Sequence, residues 1–232
     1  IVVAMQGDGG GGLSPKLTEA RANLPLDMAN GTKIGKDDAP LKLVAYEDFQ
    51  CPFCLKYTAN EEPSIIKEYV AAGKLQYQFK QLPLLGSESV RAATASYCAA
   101  DQGKFWEYHH RLYLVQADAG QDTSEKTQAG RFSDDNLKKY AADLGLDAGK
   151  FESCLNSSEA LAKVQDDKRE ASNFGFQGTP AFTLNGKPSG QGSLDISDWR
   201  KLLDDAYNAV TASPTATETA TVPAIDTETP IP

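Results

Sequence analysis

The residues best placed to do chemistry are the cysteines Cys51, Cys54, Cys98 and Cys154. Two of them stand in Cys51-Pro52-Phe53-Cys54. A Cys-x-x-Cys pair can close a disulfide, supply half of a zinc site, or sit inert in a core. Zinc wants four ligands, usually from two such pairs or from a Cys pair and a His pair. Cys98 and Cys154 are single and far apart, and the two histidines, His109 and His110, are adjacent. Neighbours on a helix point about 100° apart, so the pair is expected not to chelate, and no metal site is expected. Position favours redox chemistry. Leu41 to Phe49 is a mostly apolar run of strand length, and Pro52 suits the first turn of a helix. Cys51 therefore stands at a strand-to-helix junction, where unpaired N–H groups and the helix dipole favour a thiolate. Cys54 lies three residues on, on the same face and one turn deeper. Cys51 would attack and Cys54 would resolve the mixed disulfide.

The elements that must hold this pair follow from the pattern. A helix from Pro52, interrupted near Pro63, runs towards Gly73, and Leu75 to Phe79 alternates as a second strand. Helical patterns follow, carrying Val90, Ala93 and Cys98, then Phe105, Trp106 and His109, then Leu137 and Tyr140, then Phe151 and Cys154, then Leu161 and Val164. Strands return at Pro180 to Leu184 and after Lys187, joined by Asn185-Gly186, a strong hairpin signal. A last helix carries Trp199, Leu202 and Leu203. Strand, helix, strand implies a parallel pair with a right-handed crossover. The fold class is thus α/β, with a small sheet and helices on its faces. Cys98 and Cys154 fall in the helical block on apolar faces with no other partner. A structural disulfide is expected, with two buried free thiols as the alternative. Such a bridge would contribute roughly 3–4 kcal/mol in the entropic model.

Composition bounds the function. The chain has 232 residues, 41% apolar and 24% charged, with net charge −9. So acidic a chain is a poor partner for nucleic acid, which needs Lys and Arg to neutralise phosphate. No apolar run approaches the roughly 18–20 residues that span a bilayer. Ile1 to Met5 reads as the stump of a signal or anchor segment, or as a chance apolar start. Gly7 to Gly12 reads as a flexible tether, and residues 212–232 as a disordered Thr/Pro-rich tail.

One more signal is Gly178-Thr179-Pro180, which places a proline where a strand opens. Cys-x-x-Cys after the first strand with Thr-Pro before a later one resembles the thioredoxin fold. The long helical block between Cys54 and Pro180 narrows this to the DsbA-type thiol:disulfide oxidoreductases of the bacterial cell envelope. Asp48-Phe49-Gln50-Cys51-Pro52-Phe53-Cys54, Gln102-Gly103-Lys104-Phe105-Trp106-Glu107-Tyr108-His109 and Gly178-Thr179-Pro180-Ala181-Phe182 resemble its secreted or membrane-tethered members. The resemblance implies a thioredoxin-like fold with an inserted all-helical subdomain. Residues 31–86 and 173–211 would form the thioredoxin-like domain, 87–172 the insertion and 1–30 a flexible tether. It implies that Cys51 and Cys54 cycle between disulfide and dithiol, with Pro52, Phe53, Thr179 and Pro180 supporting the site and a cis Pro180 facing the sulfurs. The substrates would be unfolded or exported thiol proteins, outside the cytoplasm. A membrane quinone-linked oxidase would restore the disulfide, and no bound cofactor is needed because the disulfide carries the electrons. A reductase or isomerase on the same scaffold, and a redox-inactive peptide-binding module, are the rival readings.

Two departures from the family stand out. Its acidic proton-relay position, six before the first cysteine, is Ala45 here. Glu47 shares that strand face and is expected either to substitute or, as charged residues usually do, to sit in solvent at the strand end. Asp48 points the other way, as a surface charge or a cap at the helix start. The second departure is Phe53, where strongly oxidising members carry His.

Overall fold

The computed structural model describes residues 12–122, 124, 126–192 and 194–212. A six-stranded sheet has the order β1-β2-β4-β3-β5-β6. Its strands are β1 (Ala29–Asn30), β2 (Lys33–Ile34), β3 (Leu41–Glu47), β4 (Leu75–Gln81), β5 (Ala181–Leu184) and β6 (Lys187–Gln191). The helices are α1 (Ser14–Ala22), α2 (Pro52–Asn60), α3 (Glu62–Ile65), α4 (Ser87–Ala100), α5 (Phe105–Asp118), α6 (Asp134–Asp143), α7 (Ala148–Leu155), α8 (Ser158–Asn173) and α9 (Ile196–Thr211). α3 runs on as a π-helical turn, Ile66–Val70.

β3 and β4 lie parallel, in register from Leu41 opposite Leu75 to Glu47 opposite Gln81. β5 joins β3 antiparallel, and the β5–β6 hairpin turns at Asn185-Gly186. Both turn residues have positive φ, 49° and 74°, as a two-residue hairpin of this type requires. Leu41, Leu43 and Ala45 face the main core. Tyr46 faces a smaller cluster with Phe174 and Phe176. Because β3 is covered on both sides, its last residues are buried whichever way they point.

The segment between β4 and β5 is the all-helical insertion, α4 to α8, set into a thioredoxin-like fold. It does not form a core of its own. Phe49, in the turn between β3 and α2, stacks on Phe79 of β4 with ring centroids 5.3 Å apart, and Phe105 and His109 of α5 close over Phe79. Cys98 on α4 and Cys154 on α7 form a disulfide with Cα atoms 5.6 Å apart.

The expected tether is corrected in part. Residues 12–30 belong to the folded body, since α1 packs on α5 and α2 and buries Leu17 and Ala20. β2 extends the sheet beside β4, and β1 pairs with β2. These elements escape a periodicity reading for simple reasons. α1 is a mostly polar nine-residue helix, and β1 and β2 are two residues each, too short to show alternation. The glycine-rich run up to Gly11 and the tail from Ser213 lie outside the described residues.

Candidate active site

β3 ends at Glu47, and the chain turns through Asp48, Phe49 and Gln50 into α2. Cys51 is the N-cap of α2, with extended backbone (φ −75°, ψ 122°), and Pro52 begins the helix. Its missing N–H is harmless there. Cys51 keeps 5% of its surface exposed, whereas Cys54 is fully enclosed. Both are free thiols. The Cys51 thiol reaches the Thr179 carbonyl at 3.4 Å, and the Thr179–Pro180 peptide bond is cis. The Thr179 loop is held by Gln191, whose Oε1 accepts from the backbone N–H groups of Gln177 and Gly178.

The two sulfurs differ sharply. Hydrogen bonding from Cys54 brings the Cys51 thiol down to about 7 against the opposing effect of burial, helped by Thr179 and by the N–H groups of Cys54 and Phe53. Only the two N–H groups, the smaller part of this lowering, are the helix N-terminus acting on a thiolate. Burial pushes Cys54 well above the ordinary thiol range, and its bond to Cys51 and the charges of Cys51 and Glu47 push it further. Phe53 leaves 57% of its surface exposed and has no polar group for the thiolate, although Lys56 Nζ lies 5.8 Å from its ring centroid.

Glu47 is not the solvated strand-end carboxylate that its residue type favours. It is fully buried, because it continues the core-facing row of Leu41, Leu43 and Ala45. Its carboxylate accepts from Tyr113 at 2.8 Å, Tyr77 at 3.3 Å and Thr58 at 3.4 Å. Burial raises it to about 8 against those bonds, with the Cys51 charge adding to the rise. A buried acid thus lies one strand step beyond Ala45, the position the family uses.

Asp48 is likewise no surface charge. It is buried and accepts from the N–H groups of Gln50 (2.8 Å), Leu84 (2.7 Å) and Leu85 (2.9 Å) and from Ser89 Oγ (2.6 Å). It caps the turn before α2 and ties it to the start of α4. Gln50, Gln116 and Gln121 complete the frame. Gln50 donates to Leu85 O and Ser89, Gln116 donates to Phe49 O at 2.9 Å, and Gln121 donates to Gln50 O at 2.7 Å. No local pattern marks Gln116 or Gln121. Their partners come from tertiary folding.

His109 and His110 do not diverge as helical spacing alone suggests. Their rings meet, with Nδ1 atoms 3.2 Å apart, because both side chains bend into the buried space beside α3. With Glu62 they place ligating atoms within 4.8 Å of one another. Burial pushes both histidines down, His110 to about 4, so both rings are neutral.

A thioredoxin-like sheet with a helix-capping thiol, an enclosed second thiol and a buried acid is an arrangement suited to dithiol–disulfide exchange. The thioredoxin family model matches residues 28–205. The chain is 30% identical over 175 residues to a probable disulfide bond formation protein D of Bacillus cereus, covering 74% of this chain and 76% of that one. It superposes on BdbD from Bacillus subtilis with TM-score 0.66 at 22% identity (77% of this chain, 93% of that one). Wolbachia pipientis alpha-DsbA1 gives TM-score 0.65 at 23% identity (83% and 98%). The chain belongs to the thioredoxin family, as a DsbA-type thiol:disulfide oxidoreductase.

Proposed function

We propose that the protein introduces disulfides into exported thiol proteins, outside the cytoplasm, by exchange at Cys51–Cys54. The observation that carries this reading is the asymmetry of the pair. One sulfur is favoured as a thiolate and keeps a small exposed edge, and the other is fully enclosed and favoured as the thiol. A substrate thiolate attacks Cys51 Sγ of the oxidised pair, the Cys51–Cys54 bond breaks, and the electron pair leaves on Cys54, which takes a proton. The second substrate thiol, losing its proton to water, attacks the substrate sulfur of the mixed disulfide. Cys51 departs as a thiolate, two electrons having moved from substrate to enzyme. An extended substrate would lie beside Thr179 and pair with its backbone, by strand addition. Glu47 acts as the acid for Cys54, in place of the acid missing at Ala45. A membrane quinone-linked oxidase would return the pair to the disulfide.

The Cys98–Cys154 bridge supports an oxidising compartment. No described helix is long and apolar enough to cross a membrane. Motif residues do not set direction, since the reduction potential and the partner do. A reductase or isomerase is the second reading, favoured if Phe53 leaves the thiolate too weakly stabilised. The test is oxidation of a reduced, unfolded substrate. Cys51→Ala should abolish it and Cys54→Ala should accumulate mixed disulfides, while turnover retained in Cys51→Ala would refute the assignment.

A further inference from the structure

The proton that Cys54 takes must come from somewhere, and Glu47 is sealed from water. Cys54 stands one helical turn before Thr58 on α2, and Thr58 touches the Glu47 carboxylate. On its far side Glu47 meets the Tyr77 hydroxyl at 3.3 Å, and the same hydroxyl lies 3.4 Å from the carboxylate of Glu62, the first residue of α3. Glu62 is itself buried, yet with His110 it lines a cavity of about 550 Å³ between α1, α3 and α5. Lys16 and Glu19 of α1 form another part of that cavity wall. Two acids joined through one phenol thus run from Thr58, one turn beyond Cys54 on α2, to a cavity bounded by charged residues.

We propose that Glu47, Tyr77 and Glu62 form a proton route between Cys54 and the cavity beside α1, so that the proton of the exchange reaction enters and leaves away from the substrate face. This rests on the reading of Cys51–Cys54 as the exchange centre. When the Cys51–Cys54 bond breaks, the Glu47 carboxyl gives its proton to the departing Cys54 thiolate. The Tyr77 hydroxyl donates to Glu47 and takes a proton from the Glu62 carboxyl, and water in the cavity restores Glu62. One proton enters and one S–H bond forms, with no change in the two-electron balance. Reoxidation runs the same route backwards.

The groups around the route suit it. Tyr77, Tyr57 and Tyr113 are all held well above the ordinary phenol range, by burial first, so none is lost as a phenolate. Burial, then the charge of Glu47, raises Glu62 well above the carboxylate range. Both acids are thus shifted towards the form that has a proton to give. His109 and His110 are neutral neighbours, and Lys16, Glu19 and Lys67 are the charged groups around the cavity. Tyr77 is a positioning and relay residue here, and Glu62 touches neither sulfur.

The test is the single-turnover rate at which dithiothreitol reduces the Cys51–Cys54 disulfide, followed from pH 5.5 to 8.5 by acid quench and mass measurement. Glu62→Gln and Tyr77→Phe are near-isosteric and keep the core filled. Each should slow the reaction about tenfold or more near pH 7, the scale of a lost acid–base group, and leave the equilibrium with glutathione unchanged. In Glu62→Ala, formate admitted through the cavity should recover a large part of the rate. Wild-type rates in both near-isosteric variants would overturn the route. So would a slowed Glu62→Ala that formate does not rescue, which marks a merely structural role. Failure of the exchange reading is separately visible, because the wild-type protein would then show no reaction at Cys51 at all, and the route would fall with it.

Discussion

Replacing Glu47 by Gln should remove a large pH dependence of stability. A carboxyl that titrates at 4.5 in the unfolded chain and at about 8 when folded makes the folded state bind the extra proton between those values. Stability therefore falls as pH rises from about 4.5 and levels off above about 8. At about 1.36 kcal/mol per pH unit, Glu47 destabilises the reduced protein by about 3 kcal/mol at pH 7 and about 5 kcal/mol above pH 8. These are upper bounds, since Glu47 and Glu62 titrate together and share the effect. The Glu47→Gln side chain would keep an acceptor for Tyr113, Tyr77 and Thr58, so the core contacts survive. Urea unfolding of both reduced proteins at pH 5, 7 and 8.5 measures the difference. At pH 5 the two should be similar, or the variant slightly weaker, because its NH₂ group needs a partner. At pH 7 and above the variant should be the more stable by a few kcal/mol. Parallel stability curves across this range would refute the buried, proton-holding Glu47, as would a variant that loses stability as pH rises.

Two further outcomes are expected. Phe53→His should make the pair more oxidising, because a donor near Cys51 stabilises the reduced form. One unit off the Cys51 thiol corresponds to roughly 30 mV. Glutathione equilibration measures it, and an unchanged or lower potential counts against the thiolate argument. Cys98→Ala with Cys154→Ala should cost about 2–4 kcal/mol in urea unfolding, from a bridge with 56 residues of sequence separation, while exchange at Cys51 persists. Loss of exchange in a folded variant would tie the bridge to the site.

The central strands and the cysteine pair are legible in the sequence because their signals are local. Leu41 to Phe49 is apolar, Pro52 starts a helix and Asn185-Gly186 makes a hairpin. The helical insertion is legible from periodicity and from the length of chain between Cys54 and Pro180. The acids are not. Residue type sends Glu47 and Asp48 to the surface, and what buries them is the covering of β3 on both faces and the arrival of Tyr113, Leu84 and Ser89 from the insertion side. Tyr77, Glu62 and the histidine pair carry no spacing motif, because their meeting is made by packing α3 and α5 against the sheet. α1 escapes notice because only Leu17 and Ala20 of its nine residues are buried, against helices far along the chain.

The central claim is that Cys51 attacks as a stabilised thiolate and Cys54 waits protonated beneath it. Alkylation of the reduced protein with iodoacetamide across pH 5 to 10, with each cysteine resolved by peptide mass, tests this directly. The account predicts that Cys51 reacts first, with half-maximal rate near pH 7, and that Cys54 stays unmodified until well above the ordinary thiol range. A Cys51 that titrates like free cysteine, or a Cys54 that reacts as readily as Cys51, would contradict it.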